Sequence, residues 1–510
     1  MARDFIAVDR GQLLLMPPSL SEWLPEDHLV WTVLGAVDQM DLDRFREAYR
    51  LGAAGRPAYD PQVMVALLMY SYARGNRSSR GIERACWEDV AFKVITGMRT
   101  PDHSTIAEFR RRHESEIAEL FDEVLGLCRE AGLVSVGVIT IDGTKIKANA
   151  SMDQNRSYSA LVKEILREAE EADQREDELY GNDRGDELPE RLRTPEGRRD
   201  ALAEAKRRIE ERKGRPVEER ESAGKDVEVN MAQSFTRQGG RKEWLRLAKR
   251  ELEQQRRDDA RPILRDREDR LFEAVRRLEE DHEVEVTAND AYERWRKSER
   301  DTLGRRLKGN SKPYVGTELP GGTINISDLD SRVMRTQGTP PRQAYNAQAA
   351  VNDRQVILAA EVSITAADFG QLAPMLETTL HGLRGQGVTE TPETVLADAG
   401  YWHTAQMQTI AEGGIEVLLP PDGNMRAGKR RGWEDGLYQT MRDKLTADEG
   451  RKRYAQRKIT IEPVFGQIKY NRRIDRFMRR GRAAAQSEWR LITATHNLLK
   501  LHSHWITSTA

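Results

Sequence analysis

A charged segment poor in apolar residues, in the middle of the chain, most constrains how this sequence can fold. Between residues 161 and 310 it contains 37 basic and 40 acidic residues, about half of the segment. The few apolar residues recur at helical spacing, as Leu271, Val275 and Leu278 do. Such a composition cannot bury a large independent core. We therefore predict a charged insertion over residues 155–310 that forms a helical hairpin, a coiled-coil arm or a partly disordered segment.

Strand patterns stand on both sides of this segment. β-branched residues alternate over 134–141 and run directly into Asp142 and Gly143. The same pattern predicts four more strands after the insertion, with helices between them, over 343–351, 355–364, 393–397 and 415–419. This order indicates a mixed α/β layer, in which ligand sites form beyond the carboxyl ends of strands. Asp142 and Asp398 both fall at such ends.

The first 132 residues have a helical pattern. An N-cap at Asp102 predicts one long helix through Leu125, whose first turns carry Arg110 and Arg111. Short helices, tight turns and a basic helix together allow a helix-turn-helix-like DNA reader. A plain helical bundle with one basic surface fits the same pattern.

Residues 451–490 are strongly basic, with thirteen Lys and Arg residues against three acids. Because a solvated face usually mixes the signs, this imbalance predicts a polyanionic partner. One of the acids, Glu462, directly precedes Pro463, near which we predict a helix to begin. Helical spacing then places Glu462 and Lys469 on one side of that helix. A basic amphipathic helix whose glutamate only balances charge is the alternative.

The totals for the chain bound the class of protein. Its 510 residues predict two or three domains, and its net charge of -2 by itself predicts no nucleic-acid partner. Cys86 and Cys128 are too few for a disulfide framework or a thiolate zinc site. No apolar run has the length of a signal or membrane-spanning segment, so we expect a cytoplasmic protein with no membrane partner.

Three acids, Asp142, Asp398 and Glu462, form a candidate metal site. Two of them end strands and the third lies among cations, which is the arrangement that metal-dependent phosphodiester chemistry requires. Hard divalent cations such as Mg²⁺ take oxygen ligands and keep positions open for phosphate and water. Two such ions about 4 Å apart can activate a water or a 3′-hydroxyl and stabilise the leaving oxygen.

Short motifs follow one another along the chain in a fixed order: Pro101-Asp102-His103-Ser104-Thr105-Ile106 with Phe109-Arg110, Ile141-Asp142-Gly143-Thr144, Tyr345-Asn346-Ala347-Gln348, Ala397-Asp398-Ala399-Gly400-Tyr401, and Glu462-Pro463-Val464-Phe465-Gly466 with Lys469. Together they resemble the DDE transposases of bacterial insertion sequences. The closest likeness is to the branch with a helical N-terminal domain ahead of a ribonuclease-H-like catalytic core. The resemblance covers nearly the whole chain except the charged segment.

The resemblance implies that Asp142, Asp398 and Glu462 are the catalytic triad and that Mg²⁺, or Mn²⁺, is the cofactor, as two ions. It implies a homodimer or larger assembly on double-stranded DNA, at paired transposon ends and at the target. The expected domains are a helical DNA-binding domain (1–132), a ribonuclease-H-like catalytic domain (133–154 and 311–510) and the charged insertion (155–310). We therefore predict a nucleoid-associated transposase that hydrolyses a phosphodiester at the element's end and joins the freed 3′-hydroxyl to target DNA. No small-molecule substrate is expected.

Related transposases carry a Tyr, Arg, Glu, Lys signature around the third acid. The spacing of seven positions between Glu462 and Lys469 matches it. Tyr454 and Arg457 keep their mutual spacing of three, but Arg457 lies five positions before the glutamate rather than the expected four. Either the preceding loop is one residue longer here, or Lys458 takes the cationic role.

Further candidates for DNA contact lie close to the acids in the sequence. Lys145 and Lys147 follow Asp142, and the basic tract offers arginines as phosphate contacts: Arg472, Arg473, Arg476, Arg479, Arg480 and Arg482. Trp402 and His403 follow Asp398 and are candidates to contact a frayed base, with packing as the alternative.

Three other functions fit parts of the sequence. One is a structure-selective nuclease with the same core, and another is a domesticated DNA-binding regulator without catalysis. The intact acids argue against the regulator. The third is a coiled-coil scaffold, which rests on the charged segment alone.

Overall fold

The computed structural model describes residues 19–49, 58–170, 194–212, 241–259, 262, 264–298, 315–336, 338–422 and 436–509. Contacts within the chain divide it into two compact units. One unit joins the chain up to residue 149 with the chain from residue 331 onward, and the other comprises 150–330. The insertion therefore begins and ends outside the predicted limits of 155 and 310.

The N-terminal part of the first unit is helical, as the sequence predicts. Its helices are α1 (Leu29–Asp38), α2 (Asp43–Glu47), α3 (Pro61–Ala73), α4 (Ser79–Glu88), α5 (Val90–Thr96), α6 (His103–Arg112) and α7 (Glu114–Glu130). Asp60 caps α3 by accepting a hydrogen bond from the Gln62 N–H (2.9 Å). The long helix predicted from Asp102 is in fact two, because the chain leaves helical geometry at His113, whose ring packs against Phe109.

Strand β1 (Val138–Lys147) precedes the inserted unit. That unit contains β2 (Asn155–Ser157), α8 (Tyr158–Glu170), α9 (Pro195–Arg212), α10 (Arg241–Asp258), α11 (Arg267–Ser298) and β3 (Thr323–Asn325). β2 pairs antiparallel with β3, so the two ends of the insertion meet in one small ladder. Leu161, Leu271 and Ile324 belong to a core of its own. This small core accounts for the wider limits of the insertion.

The chain then completes the first unit with strands and helices in alternation. These are β4 (Arg332–Met334), β5 (Arg342–Asn352), β6 (Ile357–Ser363), α12 (Leu372–Gly385), β7 (Thr394–Leu396), α13 (Thr404–Glu412), β8 (Glu416–Leu418), α14 (Leu437–Thr446), α15 (Asp448–Gly466) and α16 (Arg482–Thr509). A π-helical turn, Gln467–Asn471, directly follows α15. Helix α15 begins well before the predicted start near Pro463, and that proline lies inside it.

The strands of the first unit form one mixed sheet. β1 is antiparallel to β5 on one side and parallel to β7 on the other, and β8 is parallel to β7. β4 and β6 both pair antiparallel with β5. The predicted mixed sheet flanked by helices is thus present.

Helix α16 joins the sheet to the N-terminal helices. The Trp489 indole N–H donates to the Gln348 carbonyl on β5 (2.9 Å). Asn497 accepts from the Ile357 N–H and donates to the Ile357 carbonyl, both at 2.8 Å. The other side of α16 contacts α7 and α3. Among the helices of the described ranges, none is long and apolar enough to cross a bilayer.

We predict that Asn497→Ala destabilises the protein, because it leaves the buried N–H and carbonyl of Ile357 without partners. Each such group costs about 1–3 kcal/mol. The midpoint of urea unfolding, followed by circular dichroism, should fall. Asn471→Ala is the matched control, since Asn471 is exposed. Equal midpoints for the two variants would contradict this account of the α16 contact.

Candidate active site on two neighbouring parallel strands

Asp142 and Asp398 occupy equivalent places on neighbouring parallel strands. Thr140 of β1 is paired with Leu396 of β7, and each aspartate lies two residues beyond that pair. Asp398 caps a 3-10 turn, where its Oδ1 accepts from the Gly400 N–H (2.8 Å). The prediction that Asp142 ends its strand beside a Gly turn is wrong, because β1 continues to Lys147 and Gly143 pairs with Gln348 of β5. The parallel register nevertheless places both predicted catalytic aspartates just beyond the end of the β1–β7 pairing.

Helix α15 places a cation against the first of these acids. The Arg457 guanidinium donates through Nη2 to Asp142 Oδ2 at 2.6 Å, and both side chains are largely buried. Tyr454, one turn earlier, donates to the carbonyl of Ala397 (3.3 Å), the residue before Asp398. Lys458 is exposed. The basic partner of Asp142 in the structure is thus Arg457 and not Lys458.

The site concentrates negative charge. Burial raises the pKa of Asp142 to about 6, against the opposing effect of Arg457. The charges of Asp398 and Asp368 contribute to this raised pKa, while the hydrogen bond from the Gly143 N–H (2.8 Å) opposes it. Asp142 thus lies near two other acids, and a second cation beside it would stabilise its ionised form.

Asp368 is an acid of the site that the sequence patterns did not indicate. It lies between β6 and α12 and accepts hydrogen bonds from Asn346 Nδ2 (2.7 Å), Gln348 Nε2 (2.9 Å) and Lys145 Nζ (3.2 Å). Two of its donors lie in the Tyr345-Asn346-Ala347-Gln348 motif. That motif is the only sign in the sequence that these amides have a specific partner.

Glu462 is exposed on α15. It lies five residues after Arg457, which corresponds to a rotation of about 140° around a regular helix. Within the part of the chain that the structure describes, no three acidic, His or Cys side chains are grouped as a metal site. Participation of Glu462 beside the two aspartates therefore stays a prediction. Lys469, after the helix, donates to Thr144 Oγ1 on β1 (2.8 Å).

The prediction that Arg110 and Arg472 contact DNA is wrong, because both side chains are buried. Arg110 is 9% exposed and donates to the Tyr72 hydroxyl, the Arg77 carbonyl and Ser79 Oγ. Arg472 is 6% exposed and donates to the carbonyls of Tyr72 and Ile492 and to Thr495 Oγ1. Both guanidinium groups hold helices together and do not face solvent, so neither is available to phosphate.

The aromatic pair after Asp398 has structural contacts. Trp402 is 4% exposed, and its ring stacks on Tyr438 of α14 at a centroid distance of 5.0 Å. His403 accepts from the Gln406 N–H at the start of α13 (3.3 Å) and its ring lies 4.8 Å from that of Phe369. Trp402 is therefore a packing residue, as the alternative interpretation of the sequence predicts, and His403 caps α13.

The remaining basic candidates differ in their partners. Lys147 pairs with Asp475 (2.6 Å), and Arg111 pairs with Glu108 on its own helix (2.7 Å). Arg473, next to the buried Arg472, is exposed. The tract thus contains both structural arginines and solvent-facing ones.

Two family models match parts of the chain. Residues 18–112 match the family described as Transposase domain (DUF772), and residues 321–498 match the family described as Transposase DDE domain. No curated protein and no solved structure matches the chain. The first match covers the N-terminal helices, and the second covers Asp398, Arg457 and Glu462 on the far side of the insertion from Asp142. With two transposase models matched in this order along the sequence, the chain belongs to the DDE transposases of the insertion-sequence type.

Proposed function

We propose that this protein cleaves DNA at the ends of its insertion sequence and joins the freed 3′-hydroxyl to target DNA. The observation that carries the proposal is the parallel register of β1 and β7, which sets Asp142 and Asp398 at equivalent places just beyond the end of that pairing. Transposase families act on DNA, and the matched domains imply such a substrate here. The reaction chemistry and the recognition of element ends go beyond those matches.

The proposed core is ribonuclease-H-like. Support comes from the sheet, in which β1 has antiparallel β5 on one side and parallel β7 and β8 on the other. β1 is the central strand of this order, and it carries Asp142. The insertion then interrupts the core directly after that strand.

The donors at the site fit a hard divalent cation. Asp142 and Asp398 supply carboxylate oxygens, which Mg²⁺ and Mn²⁺ prefer, and the matched DDE domain implies use of a divalent metal in general. We propose two ions held by these aspartates with Glu462. When bound, such ions supply activation of the attacking oxygen and stabilisation of the leaving one.

The chain's own groups hold both aspartates in place. Asp142 receives the Gly143 N–H on one oxygen and the Arg457 guanidinium on the other (2.8 and 2.6 Å). Asp398 receives the Gly400 N–H (2.8 Å). Because both carboxylates have fixed orientations, these two side chains need little reorganisation when a cation binds.

Cations beside the site are suited to the DNA backbone. Burial lowers the pKa of Lys469, and the nearby charges of Arg342, Lys145 and Lys147 lower it further. The segment after it carries the exposed residues Arg473, Arg476 and Arg480. We propose that these groups follow the phosphates, and that a homodimer on paired ends is the active assembly.

We predict that Asp142→Ala, Asp398→Ala and Glu462→Ala each reduce metal-dependent cleavage to background, because each removes an oxygen ligand. The assay uses a duplex carrying the terminal sequence, identified from the inverted repeats that flank the gene. Gel-shift affinity for that duplex should change little.

Glu412→Ala, at an exposed position of α13, is the control for loss of a carboxylate. Undiminished cleavage in any of the three variants would remove that residue from the site. Joining of a precut 3′-hydroxyl end to target DNA separates a transposase from a nuclease that only cleaves.

Arg472 and Arg473 provide a matched test of DNA contact. Arg473→Ala should reduce the slope of log affinity against log salt by about 0.9 for a lost phosphate contact, with unfolding unchanged. Arg472→Ala should instead lower the urea midpoint, because buried acceptors lose their donor. If the slope of log affinity against log salt is unchanged in Arg473→Ala, this side chain does not contact a DNA phosphate.

A further inference from the structure

We propose that Asp368 is a positioning residue that holds Asp398 and the backbone beside Asp142 through Gln348 and Tyr401. The inference rests on the proposed function, since it takes those two aspartates as the catalytic pair. Asp368 lies outside the predicted triad and on a loop, not at the end of one of the parallel strands. Its role follows from a chain of hydrogen bonds that connects it to both strands.

The Asp368 carboxylate gathers three donors on one oxygen. Asn346 and Gln348, both buried on β5, donate to its Oδ1 at 2.7 and 2.9 Å. Lys145 on β1 donates to the same oxygen at 3.2 Å, and the two side chains of this ion pair are 15% and 20% exposed. Hydrogen bonds to an ionised acceptor are stronger than neutral ones. The charge of Asp368 is therefore what holds the two amides and the lysine together.

Gln348 is fixed at both ends of its amide. Its Nε2 donates to Asp368, and its Oε1 accepts from the Tyr401 hydroxyl. Reversal of the amide would turn its oxygen toward the Asp368 carboxylate, which can only accept. The position of Asp368 thus decides the orientation in which Gln348 meets Tyr401.

Tyr401 belongs to the 3-10 turn that Asp398 begins. Its ring is fully buried, and its N–H donates to the Asp398 carbonyl (3.1 Å). A shift of the Tyr401 hydroxyl is therefore transmitted to the backbone that carries the Asp398 carboxylate. Asp368 also approaches this turn directly, since a Cβ at Gly400 would lie 3.6 Å from Asp368 Oδ2.

The same network lies against the residue that follows Asp142. A Cβ at Gly143 would lie 2.2 Å from Gln348 Nε2 and 2.8 Å from Asp368 Oδ1, closer than real contacts allow. Glycine at this position lets the polar side chains pack on the strand backbone. The Gly143 N–H in turn donates to Asp142 Oδ1. One carboxylate is therefore coupled to the local backbone of both catalytic aspartates.

Asp368→Asn tests the role of the charge at constant volume, in the full-length protein. The asparagine can present its amide oxygen to the same three donors but without the negative charge, so all three hydrogen bonds weaken. We expect single-turnover cleavage to fall about 10–100-fold, the range for groups that orient metal ligands. Mn²⁺ binding to the protein without DNA, measured by calorimetry, should weaken about tenfold, with DNA affinity and the urea midpoint unchanged.

Tyr401→Phe removes the hydroxyl that donates to Gln348 Oε1, and so breaks the connection from Asp368 to the Asp398 turn at its other end. If Asp368 acts through Gln348 and Tyr401, the double variant should be little slower than the slower single variant, because coupled residues are not additive. Additive losses, or wild-type cleavage and Mn²⁺ binding in Asp368→Asn, would overturn the proposal. A fall in the urea midpoint of Asp368→Asn that matches its loss of cleavage would also overturn it, in favour of a structural role.

Two further proteins complete the experiment. Asp353→Asn is the matched control, since Asp353 is an exposed aspartate that accepts from Ser135 at a distance from the network. Asp142→Ala separates this inference from the proposed function. If Asp142→Ala abolishes cleavage and Asp368→Asn does not, only the role of Asp368 fails. If the wild-type protein lacks metal-dependent cleavage, the proposed function fails and this role fails with it.

Discussion

The antiparallel ladder between β1 and β5 is the constraint on which the site depends. Its register places Gly143 opposite Gln348 and Lys145 opposite Asn346. Because side chains alternate between the faces of a sheet, a slip of one residue would turn both amides away from Asp368. Asp142 would move at the same time, since it faces α15 from the other side of the same strand. The register of β1 on β5 therefore fixes both Asp142 and the hydrogen bonds of Asp368 to Asn346, Gln348 and Lys145.

Some basic residues of the chain hold buried segments together and others face solvent, and a count of charges in the sequence does not distinguish the two groups. Arg77 pairs with Glu488 at 2.8 Å, with side chains 7% and 0% exposed, and also donates to the Arg476 carbonyl. Glu488 accepts in addition from the N–H groups of Met478 and Arg479. Buried charges are tolerated when they are paired in this way. Arginines from the N-terminal helices and from the basic tract thus fix the path of the segment that carries the exposed cations.

The sequence was sufficient to locate β1, β7 and the two aspartates, because alternation is a local signal. It placed the end of β1 too early, because the strand continues to Lys147 through its pairing with the distant β5. It could not distinguish Arg472 from Arg473, which are neighbours of the same type. Arg472 is buried and Arg473 is exposed, because a π-helical turn precedes them and Arg473 adopts a positive φ of 54°. Asp368 was missed for a related reason: its donors lie 20 to 223 positions away, so no local pattern points to it. Contacts between distant segments decided these cases.

The place of Glu462 sets a physical requirement on the proposed triad. Arg457 and Glu462 are about 140° apart on a regular helix, and Arg457 already faces Asp142. For Glu462 to join the aspartates, its exposed side chain must turn from solvent toward them. The helix is weakest around Glu462, because Pro463 cannot donate to the Ile459 carbonyl. Gln355 Nε2 fills that acceptor at 2.9 Å, and the π-helical turn follows directly. Glu462 thus lies in the segment whose helical hydrogen bonds are already interrupted.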